Sequence, residues 1–183
     1  MNGKIRQFVV LNMMCFWAAN ALAYEFSTGK VFIRGVVGPT VNVVRFDDDA
    51  NKATPGAGLV IGVETEYVIN NPWSVIGGVR PSFTPGYVDL GFGIGAKYRW
   101  SDLEVPLIVS ASGELTPAVL IPTSTGSSHF NLGVRMSAGV DYFLMSDLAV
   151  GLQVAVEPSL LWNAPIRSLE ASIEFLAGMM YRI

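Results

Sequence analysis

From Val88 to Trp100 the chain alternates strictly. Val88, Leu90, Phe92, Ile94, Ala96, Tyr98 and Trp100 are apolar, while Asp89, Gly91, Gly93, Gly95, Lys97 and Arg99 between them are small or charged. A period of two places these sets on opposite faces of a β-strand. The pattern recurs and predicts eight strands, over Lys30–Arg45, Gly58–Ile69, Ser74–Phe83, Val88–Trp100, Val105–Ile121, Phe130–Tyr142, Leu148–Val156 and Leu169–Ile183. Gly and Pro blur it in the first, third and fifth of these. No segment shows a comparable helical period.

The connections alternate in kind. Asn70-Asn71-Pro72, Ser101–Glu104 and Met145-Ser146-Asp147 read as tight turns, while Phe46–Pro55, Thr84–Tyr87, Pro122–His129 and Trp162–Arg167 read as longer, more polar loops. Short turns at one end and longer loops at the other are the asymmetry of transmembrane β-barrels, whose short turns face the periplasm. Tyr67, Trp73, Tyr98, Trp100, Tyr142 and Phe143 flank the tight turns. These aromatics are expected to form a girdle at the membrane interface.

Alternation alone leaves open which face points inward. A water-soluble eight-stranded barrel such as a lipocalin buries its apolar face. Here the apolar face carries essentially no charge, the aromatics sit at strand ends, and the polar face is rich in Gly and Ser. Such a polar face suits the cramped interior of a barrel with few strands. The first strand also lacks the Gly-x-Trp that a lipocalin would show. These features favour an apolar exterior in lipid and a polar interior.

The N-terminus supports export. Lys4 and Arg6 precede a mostly apolar stretch, Phe8–Ala21, and Ala21-Leu22-Ala23 forms an A-x-A cleavage site. This is a secretory signal, with cleavage expected after Ala23. Asn12 and Asn20 interrupt the stretch, which is shorter than the ~20 residues a spanning helix needs. The only cysteine, Cys15, falls within the signal, so thiol and disulfide chemistry are excluded from the mature chain, 24–183.

Composition narrows the class further. Without Lys4 and Arg6, the 12 basic residues fall to 10 against 15 acidic ones. That acidic balance argues against a nucleic-acid partner. Mean hydropathy is high, at +0.42, yet no later stretch is apolar enough for a spanning helix. Alternating transmembrane strands produce that combination.

The polar face carries the main constellation of charge. Arg34, Arg80, Lys97, Arg99, Arg135 and Arg182 share it with Glu64, Glu66, Asp89, Glu114, Asp141, Glu157, Glu170 and Glu174. Mixed charges in a narrow lumen should pair, because an unpaired buried charge costs several kcal/mol. The expected result is a salt-bridged plug, since an eight-stranded interior is only wide enough for its own side chains. A selectivity lining for ions or small solutes is the alternative.

The whole mature chain resembles the small eight-stranded outer-membrane barrels, the group of the OmpA transmembrane domain and the OmpX-like proteins. The resemblance is one of architecture. Its C-terminal strand is similar to their assembly signal, with Gly178, Tyr181 and a terminal apolar residue, although Ile183 stands where those proteins usually end in Phe or Trp. It implies residence in the outer membrane of a Gram-negative-type bacterium, contact with outer-membrane lipid and lipopolysaccharide, insertion by the barrel-assembly machinery, and a structural or surface-interaction role. It leaves the oligomeric state open.

Other chemistry is thinly represented. Some lipid A deacylases are similar in size and use a Ser–His pair, but the single histidine, His129, directly follows Ser127-Ser128. Adjacent residues seldom form a hydrogen-bonded nucleophile–base pair, so no catalytic residue is assigned. Asp47-Asp48-Asp49 could offer hard oxygen ligands to Ca²⁺ or Mg²⁺, although three adjacent acids more commonly form a solvated loop. Gly91-Phe92-Gly93-Ile94-Gly95 alternates within a strand and opens no helix, so it is not a phosphate loop. No cofactor is expected. The predicted architecture is an all-β, eight-stranded antiparallel up-and-down transmembrane β-barrel.

Overall fold

Eight strands follow one another along the chain: β1 (Val31–Phe46), β2 (Gly56–Val68), β3 (Trp73–Thr84), β4 (Tyr87–Trp100), β5 (Leu107–Pro122), β6 (His129–Phe143), β7 (Leu148–Trp162) and β8 (Leu169–Arg182). The computed structural model describes residues 27–46, 56–100, 106–123, 127–162 and 169–183. The predicted signal, 1–23, the acidic run Asp47–Asp49 and the predicted turn Ser101–Glu104 lie outside the described residues. Each strand pairs antiparallel with its sequence neighbours, and β1 pairs with β8 to close the barrel. Closure leaves no edge strand, which a sheet in hydrocarbon requires because lipid cannot satisfy a free N–H or C=O.

Burial follows the predicted alternation. Along β2, Ile61, Val63 and Tyr67 face outward and are exposed, whereas Gly62, Glu64, Glu66 and Val68 face inward and are buried. The same holds on every strand, so the exterior is a continuous coat of Val, Leu, Ile, Phe and Met, including Ile94, Leu115, Val134 and Leu152. Most of the described charged residues of the strands are inside. A water-soluble barrel has the opposite arrangement, and an apolar exterior of this extent belongs in lipid. Among the described residues no helix is long and apolar enough to cross a membrane. The strands make the crossing.

One end carries the start of β1, the finish of β8 and two tight turns. At 69–72, the Ile69 and Asn70 amides donate to the Trp73 carbonyl at 3.1 and 3.2 Å. At 144–147, the Leu144 and Met145 amides donate to the Leu148 carbonyl at 2.9 and 3.1 Å. This is the turn end; the opposite end is the loop end. Tyr67, Trp73, Trp100 and Tyr142 are exposed near the turn end, and Tyr98 joins Trp73 and Trp100 in edge-to-face contacts with centroids 5.0 and 4.8 Å apart.

Phe143 departs from the expected girdle. It points inward, is 4% exposed, and packs with Phe32, Val68, Ile108, Ala149 and Met180 into an apolar floor across the turn end of the lumen. The reason is parity: Tyr142 and Phe143 are consecutive, so only one can face lipid.

One connection and one strand end also differ from expectation. Thr84–Tyr87 is a two-residue turn rather than a long loop, with Pro85 and Gly86 between paired Thr84 and Tyr87. Gly86 has φ +91°, a conformation that glycine adopts at little cost beside a proline with fixed φ. β7 continues to Trp162, well past the expected Val156.

Candidate functional site

The inward face builds the lumen as layers. Above the apolar floor, Arg99 Nη1 donates to Ser74 Oγ at 2.7 Å, and its guanidinium lies 5.9 Å from the Phe32 ring centroid. Lys97 Nζ donates to Glu66 Oε2 at 3.2 Å, and Arg99 pairs with the same carboxylate. Arg34 pairs with Asp141 across the lumen. All of these charged side chains are buried.

Two arginines organise the centre. Arg80 of β3 bridges β2 and β5, with Nη1 3.0 Å from Glu64 Oε1 and Nη2 2.7 Å from Glu114 Oε2. Arg135 of β6 bridges β5 and β8, with Nη1 2.8 Å from Glu114 Oε1 and Nη2 3.0 Å from Glu174 Oε2. Glu114 is thereby shared between both guanidiniums. Such a network fills the cross-section with charge-assisted hydrogen bonds, the strong kind that holds side chains in place. Gly93 makes room for it: a Cβ there would lie 2.5 Å from Glu114 Oε2 and closer still to Arg80.

Toward the loop end the lumen opens into a polar cavity of about 50 Å³. Asp89, Glu157, Glu170 and Glu174 lie in its wall with Arg80, Asn131 and Ser159. Thr116 donates to Glu157 Oε1 at 2.7 Å, and Asn131 donates to Ser159 Oγ at 3.2 Å.

This architecture matches solved structures closely in shape and poorly in sequence. The crystal structure of Neisserial surface protein A (NspA) superposes with a TM-score of 0.67 at 13% identity, over 84% of this chain and 97% of that one. The outer membrane protein OprG from Pseudomonas aeruginosa gives 0.57 at 12% identity, over 86% and 97%. The N-terminal β-barrel domain of Pseudomonas aeruginosa OprF gives 0.50 at 10% identity, over 85% and 98%. The chain has the fold of the small eight-stranded outer-membrane barrels. No protein-family model and no curated protein sequence matches it.

Within this small barrel, the predicted charges fall into separate groups. Arg34, Glu64, Glu66, Arg80, Lys97, Arg99, Glu114, Arg135, Asp141 and Glu174 are brought together in ion pairs inside the lumen. Asp89, Glu157 and Glu170 line the cavity at the loop end instead. Arg182 sits at the turn-end rim and pairs with Asp147, not with a lumen carboxylate. Asp147 was read only as part of a turn, and its sequence distance from Arg182 gives no signal of the contact. Ser74 and Asn131 were also missed as site residues, although their inward parity was available. His129 stands at the loop end of β6 with its Nδ1 buried and without a hydrogen-bond partner, and Ser127 and Ser128 beside it are exposed.

Proposed function

We propose that this chain is an outer-membrane protein of a Gram-negative-type bacterium with a structural or surface-interaction role, its lumen closed by the central ion-pair network. The observation that carries the reading is the pair of arginine bridges. Arg80 and Arg135 tie β2, β3, β5, β6 and β8 together across the middle of the barrel through Glu64, Glu114 and Glu174. The interior of an eight-stranded barrel is only just wide enough for such side chains. Fold likeness to barrels whose names place them at the cell surface or in the outer membrane is consistent with this location.

In this reading the exterior contacts outer-membrane lipid and lipopolysaccharide, and β8 presents the assembly signal to the barrel-assembly machinery. No catalytic residue is assigned in this reading. A narrow channel is the second reading, supported by the cavity at the loop end. Fractionation of expressing cells, followed by comparison of unheated and boiled samples on SDS gels, tests the location and the barrel. Recovery with the outer membrane and a heat-dependent mobility shift are expected. Planar-bilayer recording of the purified barrel then separates the two readings. A quiet membrane supports the plug, whereas steady single-channel conductance replaces it with the channel.

A further inference from the structure

The cavity at the loop end of the lumen is unbalanced in charge. Among the described residues of its wall, Asp89, Glu157 and Glu174 outnumber the basic Arg80. Arg80 is already engaged by Glu64 and Glu114, and Glu174 by Arg135. Asp89 lies within electrostatic reach of Glu157, Glu170 and Glu174. Among the described residues, Asp89 and Glu157 therefore set the field in this space.

A second, independent feature points the same way. Asn131 lines the cavity, is 3% exposed, and spends its Nδ2 on Ser159. Its Oδ1 is left buried with no hydrogen-bond partner. Asp89 Oδ1 is also buried without one. Buried acceptors are destabilising unless something donates to them or is coordinated by them. On Glu157, Thr116 occupies Oε1 at 2.7 Å and fixes the carboxylate. Gly133 leaves the space for that contact, since a Cβ there would lie 2.5 Å from Thr116 Oγ1 and 2.7 Å from Glu157 Oε1.

Size selects the class of ligand. A space of about 10–15 Å³ is enough for one water, so a cavity of about 50 Å³ admits a small ion with its waters. Carboxylate, amide and hydroxyl oxygens are hard ligands that suit Ca²⁺ or Mg²⁺. We propose that the outer half of the lumen binds one oxygen-preferring divalent cation through the carboxylates of Asp89 and Glu157 and the Oδ1 of Asn131. Among the described residues no three of His, Cys, Asp or Glu form a ready-made metal cluster. The site consists of two carboxylates completed by neutral oxygens and water.

The test is calorimetric titration of Ca²⁺ into the refolded mature barrel, held in an uncharged maltoside detergent with 0.15 M NaCl as background. One saturable ion per chain is expected. Asp89→Asn and Glu157→Gln should each weaken binding about tenfold or more, and Asn131→Ala by a smaller factor, because affinity follows ligand charge and number. A retained heat-dependent gel shift certifies that each variant is folded, and Asn131→Ala serves if either acid variant is not. Three outcomes overturn the proposal: no saturable heat from the unaltered barrel, unchanged affinity in the folded lumen variants, or loss of binding only when Asp47, Asp48 and Asp49 are all changed to Asn. Conductance plays no part in this readout, so the site stands or falls apart from the closed-lumen reading.

Discussion

Arg135 is the most enclosed charge in the barrel, with a side chain 0% exposed between Glu114 and Glu174. Removing one partner of a buried pair costs about 3–5 kcal/mol, while replacing a whole ionic group by neutral side chains of similar volume is far milder. Arg135→Met is therefore expected to lower stability by about that amount, read from the urea midpoint of tryptophan fluorescence in lipid vesicles. Arg135→Met combined with Glu114→Gln and Glu174→Gln should recover most of the loss. If the single variant unfolds at the same midpoint as the parent, Arg135 is not holding the network. Parity alone assigned these residues to the interior, but it could not name their partners. Arg34 stands directly opposite Glu64 in the β1–β2 register, yet its ion pair is with Asp141, 107 residues away. In a narrow lumen a long side chain reaches across the barrel as easily as along the sheet, and that choice depends on strand tilt and closure rather than on local sequence.

The strands themselves were legible to within a residue or two at most ends, because lipid outside and charge inside impose an unbroken period of two. β7 shows where that signal fails. After Val156 come Glu157, Pro158, Ser159, Leu160 and Leu161; proline normally ends a strand, and two adjacent leucines break the alternation. The strand continues nonetheless, with Pro158 on the exposed face opposite Ala171. On its other side the register passes from Met136↔Val156 to Gly133↔Ser159, so the ladder is interrupted where proline has no N–H to give. Leu161 turns inward and is buried at the loop end. Phe143 failed for the same reason at the opposite end, where apolar layers cap the lumen and both faces turn hydrophobic. The outward positions carry a direct prediction. Leu115 is 55% exposed in mid-strand, flanked in register by Ile94 and Val134. Leu115→Arg should destabilise the barrel in vesicles by about 2–4 kcal/mol, as a cation placed at the bilayer midplane does. A cost near zero would mean that this face is not in lipid.

The whole molecule has two unlike ends, and the asymmetry predicts a direction across the membrane. Both ends of the strand series, the turns at 69–72 and 144–147, and the aromatics Trp73, Tyr98 and Trp100 gather at one end. Short turns face the periplasm in bacterial barrels and loops face the outside, so Met145 should lie inside the cell envelope and Ser128 at the cell surface. The composition makes this simple to measure, because Cys15 is the only cysteine and lies in the predicted signal. Met145 is 63% exposed, and Ser128 is exposed beside the start of β6, so a cysteine at either position is accessible. On intact cells a membrane-impermeant maleimide should label Ser128→Cys and spare Met145→Cys; after the outer membrane is opened, both should react. The unaltered chain supplies the background. Labelling of Met145→Cys alone on intact cells would invert the barrel and place the acidic cavity on the periplasmic side. Equal labelling of both would remove it from a sealed membrane altogether.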